Sequence, residues 1–146
     1  MEYIINPVLM GGLVKEVNSD FAKVHLHGRL GVITVPHRLI ITDEPIVPGH
    51  ELRFYFSYIQ INEQPYDYDV SPVDPALAIS PSLVGGTLTE VNDTAIKLEM
   101  MAGLGTVAVP RRWVFTPVTL QVGQTGEFYF SCMEKIGKRE IPVESI

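Results

Sequence analysis

Cysteine, surplus positive charge and long apolar runs are all scarce in this chain, and each scarcity removes a class of protein. Cys132 is the only cysteine among 146 residues, so neither an intrachain disulfide nor a cysteine metal cluster is available. The formal net charge of −6 argues against a broad basic surface for nucleic-acid backbones. No apolar run reaches bilayer-spanning length, and Met1–Pro7 carries neither a basic region nor a hydrophobic segment of secretory type. A cytoplasmic protein without a membrane partner is the expectation. There is no Walker-type phosphate loop and no dinucleotide fingerprint, because Gly11-Gly12 and Gly85-Gly86 open strands rather than helices. No Ser/His/Asp set or paired carboxylates are shared across the chain, so the expectation is a protein that is not an enzyme and needs no cofactor.

What is present is a duplication. Leu30–Arg38 reads Leu-Gly-Val-Ile-Thr-Val-Pro-His-Arg, and Leu104–Arg112 reads Leu-Gly-Thr-Val-Ala-Val-Pro-Arg-Arg, 74 residues later. The same shift aligns 5–61 with 79–135 without a gap, at 20 identities in 57 positions. Kept pairs include Gly11/Gly85, Asn18/Asn92, Lys23/Lys97, Gly31/Gly105, Arg38/Arg112, Thr42/Thr116 and Gly49/Gly123, and Phe54–Ser57 matches Phe128–Ser131 outright.

Within each copy the period is that of strands. Gly12–Val17 begins one, Asn18-Ser19-Asp20 turns, and Phe21–His27 sets Val24 and Leu26 against Lys23, His25 and His27. Leu30–Val35 is a third strand, ended by Pro36. Arg38–Val47 reads as either a short strand or a helical turn. Longer strands are predicted over Glu51–Ile61 and from Thr125 to Ile136. Tyr66–Val70 alternates as a strand, and a hairpin at Gly137-Lys138 leads to a last strand over Glu140–Ile146. The Pro-rich segment Ser71–Ala76 is a short linker. The predicted fold is all-β: two tandem small β-barrels of about five strands each, SH3-like or OB-like, at 1–73 and 74–146, related by a pseudo-twofold.

Chemistry-bearing residues are few. Within 5–61 and 79–135 acids and bases nearly balance, and the acidity concentrates at Glu63, Asp67, Asp69 and Asp74. His25 and His27 share one side of a strand at a spacing that can ligate a metal, but copy two has Glu99 and Met101 there, and a solvent-facing strand is the preferred reading. Arg38 and Arg112 could grip a carboxylate or phosphate, or could tie to Glu16 and Glu90, the acids kept in both copies; the tie is favoured. His37-Arg38 and Arg111-Arg112 remain candidate contact spots. Tyr55 and Tyr129, opposite the core-facing phenylalanines, are candidates for a covered contact face. Trp113 and Cys132 read as packed residues.

The order Gly-x-Val-x-x-Val, Ala-x-Val-x-Leu, Gly-x-Ile-x-Val-Pro, Pro-Gly-x-x-Leu-x-Phe is similar to S1-type OB and SH3-like small barrels. The chain also resembles a small tandem-repeat family of anaerobic, clostridia-like bacteria through Ile-Asn-Pro at 5–7, Gly28-Arg29-Leu30-Gly31, Val35-Pro36 with Arg38, and Phe-Tyr-Phe-Ser-Tyr at 54–58. That resemblance implies the architecture and no activity. The functional expectation is a non-enzymatic binding or scaffold protein offering a composite surface to a protein partner or to further copies of itself. Single-stranded nucleic-acid binding through Arg38 and Arg112, or sensing of a small ligand between the barrels, are the alternatives.

Overall fold

Alternation of apolar and polar residues puts one face of each strand into the core. The strand Phe21–Leu26 buries Ala22, Val24 and Leu26, and His50–Phe56 buries Leu52, Phe54 and Phe56. The computed structural model describes residues 5–65 and 67–138. Copy one supplies β1 (Val8–Val17), β2 (Phe21–Leu26), β3 (Val32–Pro36), β4 (Ile40–Ile41), β5 (His50–Phe56) and β6 (Ile59–Ile61). Copy two supplies β7 (Ser82–Val91), β8 (Ala95–Met100), β9 (Gly105–Pro110), β10 (Val114–Phe115), β11 (Thr125–Phe130) and β12 (Met133–Lys138). Among the described residues there is no α-helix, only short 3-10 turns.

Residues kept in both copies make the turns. Asn18 Oδ1 accepts from the N–H groups of Asp20 and Phe21 at 2.8 and 2.7 Å, and Asn92 Oδ1 does the same for Thr94 and Ala95 at 3.0 and 2.9 Å. Thr42 and Thr116 accept from the N–H two residues on. A bulge falls between Val14 and Glu16 in β1 and between Leu88 and Glu90 in β7.

Each copy forms an antiparallel run, β3-β2-β1-β5 and β9-β8-β7-β11, and the two runs do not close separately. All twelve strands belong to one sheet. β6 pairs with β11 and β10 of copy two, and β12 pairs with β5 and β4 of copy one. The reason is local. Only Ser57 and Tyr58 separate β5 from β6, and both strands run antiparallel to β11, so the chain goes forward across its counterpart instead of turning back. The same holds for Ser131 and Cys132 between β11 and β12. The exchange is reciprocal, as a twofold requires.

Two junctions lie on the symmetry. In β3–β9, Ile33 faces Val107, and in β5–β11, Phe56 faces Phe130; each residue meets its own counterpart 74 positions on. The first junction explains the Leu-Gly motif. Gly31 has φ +123° and a Cβ there would lie 2.1 Å from Ala108 O; Gly105 has φ +118° and a Cβ would lie 1.9 Å from Thr34 O. Only glycine lets β3 and β9 approach. At the second junction Phe54, Phe56, Phe128 and Phe130 are each 0% exposed, in a cluster that continues through both copies. Burial of each ring contributes about 2 kcal/mol.

The strands differ from expectation in three places. The long strands over Glu51–Ile61 and Thr125–Ile136 are each broken at the crossing serine, and with the two-residue β4 and β10 this gives six strands per copy. Gly137 and Lys138 do not turn; they pair with Glu51 and His50 within β12. Residues 67–70 form no strand, because Tyr68 is drawn to Glu127 instead of a neighbouring ladder; Tyr66 and the expected last strand Glu140–Ile146 lie outside the described residues. The stretch read as either a short strand or a helical turn holds both, a 3-10 turn over His37–Leu39 followed by the two-residue β4.

Candidate functional site

Four of the six expected contact residues, Arg38, Arg112, Tyr55 and Tyr129, fall at the junctions between copies. Arg38 is exposed, and its Nη2 donates to the carbonyls of Ala102 and Gly103 at 3.4 and 3.5 Å. Arg112 Nη2 reaches the carbonyl of Arg29 at 3.5 Å. Each arginine therefore touches the β-turn of the other copy. The expected tie to Glu16 or Glu90 is replaced by this crossing contact; Glu16 lies 3.9 Å from Lys23. Arg111 stays within copy two, donating to Asn92 O at 3.1 Å. His37 has a half-buried ring whose Nε2 has no hydrogen-bond partner.

Tyr55 and Tyr129 stand at the other junction, half-buried. Their backbone N–H groups donate to Ser131 Oγ and Ser57 Oγ, both at 2.8 Å. Each serine hydroxyl donates in turn to the following carbonyl, of Cys132 and Tyr58. The serines are essentially unexposed, so these contacts satisfy N–H groups that the strand break would otherwise orphan. Cys132 is buried, and burial, with a smaller contribution from Asp74, pushes its thiol up to about 11. It stays protonated at neutral pH and packs. Trp113 stacks on Tyr58 at 4.3 Å between ring centroids and lies 6.0 Å from Phe56.

Two grooves occupy equivalent places in the copies. The copy-one groove, about 490 Å³, is lined on its polar side by Lys15, His25, His27 and Arg29. The copy-two groove, about 460 Å³, has Glu99, Met101 and Gly103 where copy one has His25, His27 and Arg29, with Thr87 and Met100 beside them. The floors also correspond. The His27 ring lies over Gly11, where a Cβ would be 2.7 Å from its Cδ2; the Tyr68 ring lies over Gly85, where a Cβ would be 2.4 Å from its Cε2. One glycine is covered by the turn after β2 of its own copy, the other by the connecting segment.

Tyr68 is held by Glu127. Its hydroxyl donates to Glu127 Oε2 at 2.6 Å, Asn62 Nδ2 donates to the same oxygen at 3.2 Å, and Gln60 Nε2 donates to Oε1. Glu127 is 1% exposed, so three donors stand in for its lost water. Beside the copy-one groove, burial lowers the pKa of His25, with Lys23 and Lys15 adding to the effect and Glu16 opposing it. Among the described residues no group of three or more His, Cys, Asp or Glu is placed to hold a metal ion. No helix among them is long and apolar enough to cross a membrane.

Sequence reasoning singled out His25 and His27 but passed over Lys15, Arg29 and the Gln60–Asn62–Tyr68–Glu127 cluster. The signal was the difference between copies: Lys15 against Thr89, Arg29 against Gly103, Glu127 against Arg53. No protein-family model matches this chain, and no curated protein matches it.

Proposed function

We propose that this chain is a non-enzymatic binding protein: two small-barrel copies, each completed by strands from the other, hold two grooves of opposite chemical character on one frame. The observation that carries this reading is the pairing of the grooves. Six positions of one lining, Leu13 and His25–Arg29, correspond to Thr87 and Glu99–Gly103 of the other under the 74-residue shift. Yet one groove carries Lys15, Arg29 and two imidazoles and the other Glu99 and thioethers. Residues kept in both copies hold turns and junctions, while the charged and polar side chains that line the grooves differ between the copies. A frame duplicated and then diversified at its concavities supports recognition of two different chemical groups. Arg38 and Arg112 are occupied at the copy junction, so they favour the frame over strand-like nucleic-acid binding.

The test is backbone amide shift mapping on the full chain with small anions, cationic amines, short peptides and an oligothymidylate. Saturable shifts confined to 13–32 or to 85–103 and 125 support the reading; a set of probes that leaves both grooves silent removes it. A second reading, contact with a protein partner or a second copy, is favoured by Tyr58. It is 42% exposed although it stacks on both Trp113 and Phe115. Aromatic rings of this kind are enriched at interfaces. Light scattering on the chain and on Tyr58→Ser reads it: a dimer lost on substitution supports self-association, and a monomer in both ends that option.

A further inference from the structure

We propose that the copy-one groove binds a small anion carrying more than one phosphoryl charge. This rests on the two-groove reading and adds the class of ligand.

The lining is the first support. Lys15, His25, His27 and Arg29 converge on one groove, and no carboxylate lines it. Among the described residues neither Lys15 nor Arg29 has a carboxylate within ion-pairing distance, although the chain as a whole is acidic at −6. Glu16 acts on His25 from beside the groove, but Lys15 and Arg29 have no paired carboxylate; like charges repel, and a bound anion removes that cost. The second support comes from the other copy. Arg112 is held at the copy junction by the carbonyl of Arg29 and does not line the groove, but its guanidinium adds positive charge beside the same turn. Planar guanidinium groups match phosphoryl oxygens in geometry as well as charge.

The third support is backbone strain. Arg29 has φ +58° in the turn between β2 and β3, where copy two places Gly103 at φ +68°. A side chain in that conformation costs about 1 kcal/mol. Each copy's turn carries one non-glycine at positive φ, Arg29 in copy one and Ala102 at φ +56° in copy two, so the shared frame tolerates the strain. What distinguishes copy one is that the residue bearing it is a cation at the rim of the groove. The bulge at Lys15 is common to both copies, and it aims a lysine in one and Thr89 in the other.

The ligand is small and not a polynucleotide. The groove, about 490 Å³, has room for a diphosphate. The charge around it does not extend: Glu63, Asp67, Asp69 and Asp74 make the connecting segment acidic, which opposes a backbone that must be neutralised phosphate by phosphate.

Amide shift titrations of the full chain with inorganic pyrophosphate at low salt test the proposal. Saturable shifts at 13–15 and 25–32 are expected. Arg29→Gly, which relieves the strained turn and leaves the fold intact, combined with Lys15→Gln, is expected to weaken binding by roughly tenfold or more. Glu99→Gln in the other groove is expected to leave it unchanged. Silence at those amides up to about 10 mM pyrophosphate overturns the proposal, as does equal affinity in the double variant. An oligothymidylate that binds more tightly than pyrophosphate, with shifts beyond the groove, also overturns it in favour of a nucleic-acid strand. If anions fail while an amine or peptide shifts either groove, the ligand class falls and the two-groove reading stands; if every probe fails, both fall.

Discussion

Arg53 in β5 and Glu127 in β11 stand 74 residues apart, and each faces the strand that the other copy sends across. Arg53 Nε donates to Glu134 Oε2 at 3.0 Å, with the two side chains 46% and 36% exposed. Glu127 meets Gln60 at the matching position, is almost unexposed, and gathers Asn62 and Tyr68 as well. The backbone crossing is the same, so the frame does not set the strength of the contact. The connecting segment sets it. Tyr68 and its neighbours cover the copy-two crossing, and water then ceases to compete for the carboxylate. An exposed ion pair is worth little, whereas a buried carboxylate is costly to leave unpaired and equally costly for its donors to lose.

The features common to both copies should be the most expensive to break. Gly105→Ala would place a methyl group 1.9 Å from Thr34 O at a positive φ. The expected loss is about 3 kcal/mol or more in urea unfolding. Gly123→Ala is the reference: its φ is also positive, +96°, but nothing lies within 4 Å of the added carbon. It should cost about 1 kcal/mol from conformation alone. Equal losses would mean that the close approach of β3 to β9 is unimportant.

The next effect separates the crossings. Glu127→Ala leaves the Tyr68 hydroxyl and the amides of Gln60 and Asn62 without their acceptor in a covered site, at an expected cost of about 3 kcal/mol. Arg53→Ala should cost under about 1 kcal/mol, and less at high salt. If the two variants unfold at the same denaturant concentration, the connecting segment does not hold the carboxylate. Ser57→Ala and Ser131→Ala should cost about 1–2 kcal/mol each, and nearly the same amount, because each removes one acceptor from the opposing tyrosine N–H. A large inequality would break the symmetry claimed for the β5–β11 junction.

Much of this was legible in the sequence, because duplication filters it. A residue kept at both members of a pair has a job in the frame. Gly31/Gly105, Asn18/Asn92, Thr42/Thr116 and Ser57/Ser131 each prove to hold a turn or a junction. The all-β class and the buried Phe54 and Phe56 followed from alternation. The strand exchange was not legible. Alternation says which face of a strand is buried, not which strand lies beside it, and Ser57-Tyr58 reads the same whether the chain turns back or crosses over. The partners of Arg38 and Arg112 were missed for the same reason. They lie across the β3–β9 junction, a pairing between copies that alternation within one copy does not reveal. The copy-one groove and the Glu127 cluster were hidden by the filter itself, since Lys15, Arg29 and Glu127 are residues the copies do not share.

The smallest expected effect concerns His50, whose counterpart is Gln124. Both follow the same backbone turn: His50 N donates to Val47 O and Gln124 N to Gln121 O, each at 3.4 Å. The Gln124 side chain closes that turn, donating to Thr119 O and accepting from Gln121 N, both at 2.9 Å. His50 does not. Its ring is 1% exposed, and its Nε2 lies 3.2 Å from Glu44 Oε1 without hydrogen-bond geometry, because that carboxylate is turned to Lys135. Burial first, then Lys135 and Lys138, lower the His50 pKa below 6.5, against the pull of Glu44. The unfolded chain therefore binds more protons than the folded one as pH falls below 6.5, and stability declines through that window until the folded-state pKa is passed. His25, lowered in the same direction, adds to the decline. Glu44 acts elsewhere: Lys135 holds its pKa below 4.5, so its contribution is present above 4.5 and is lost only at more acid pH. His50→Gln gives copy one the side chain that copy two already uses, within reach of Val47 N and Pro45 O by analogy. Thermal unfolding between pH 8 and pH 5 should show the variant at least as stable as the parent at pH 8, with a shallower decline below 6.5 and a remainder that belongs to His25. An unchanged decline would move the acid sensitivity away from His50 and leave the His50/Gln124 difference without consequence for stability.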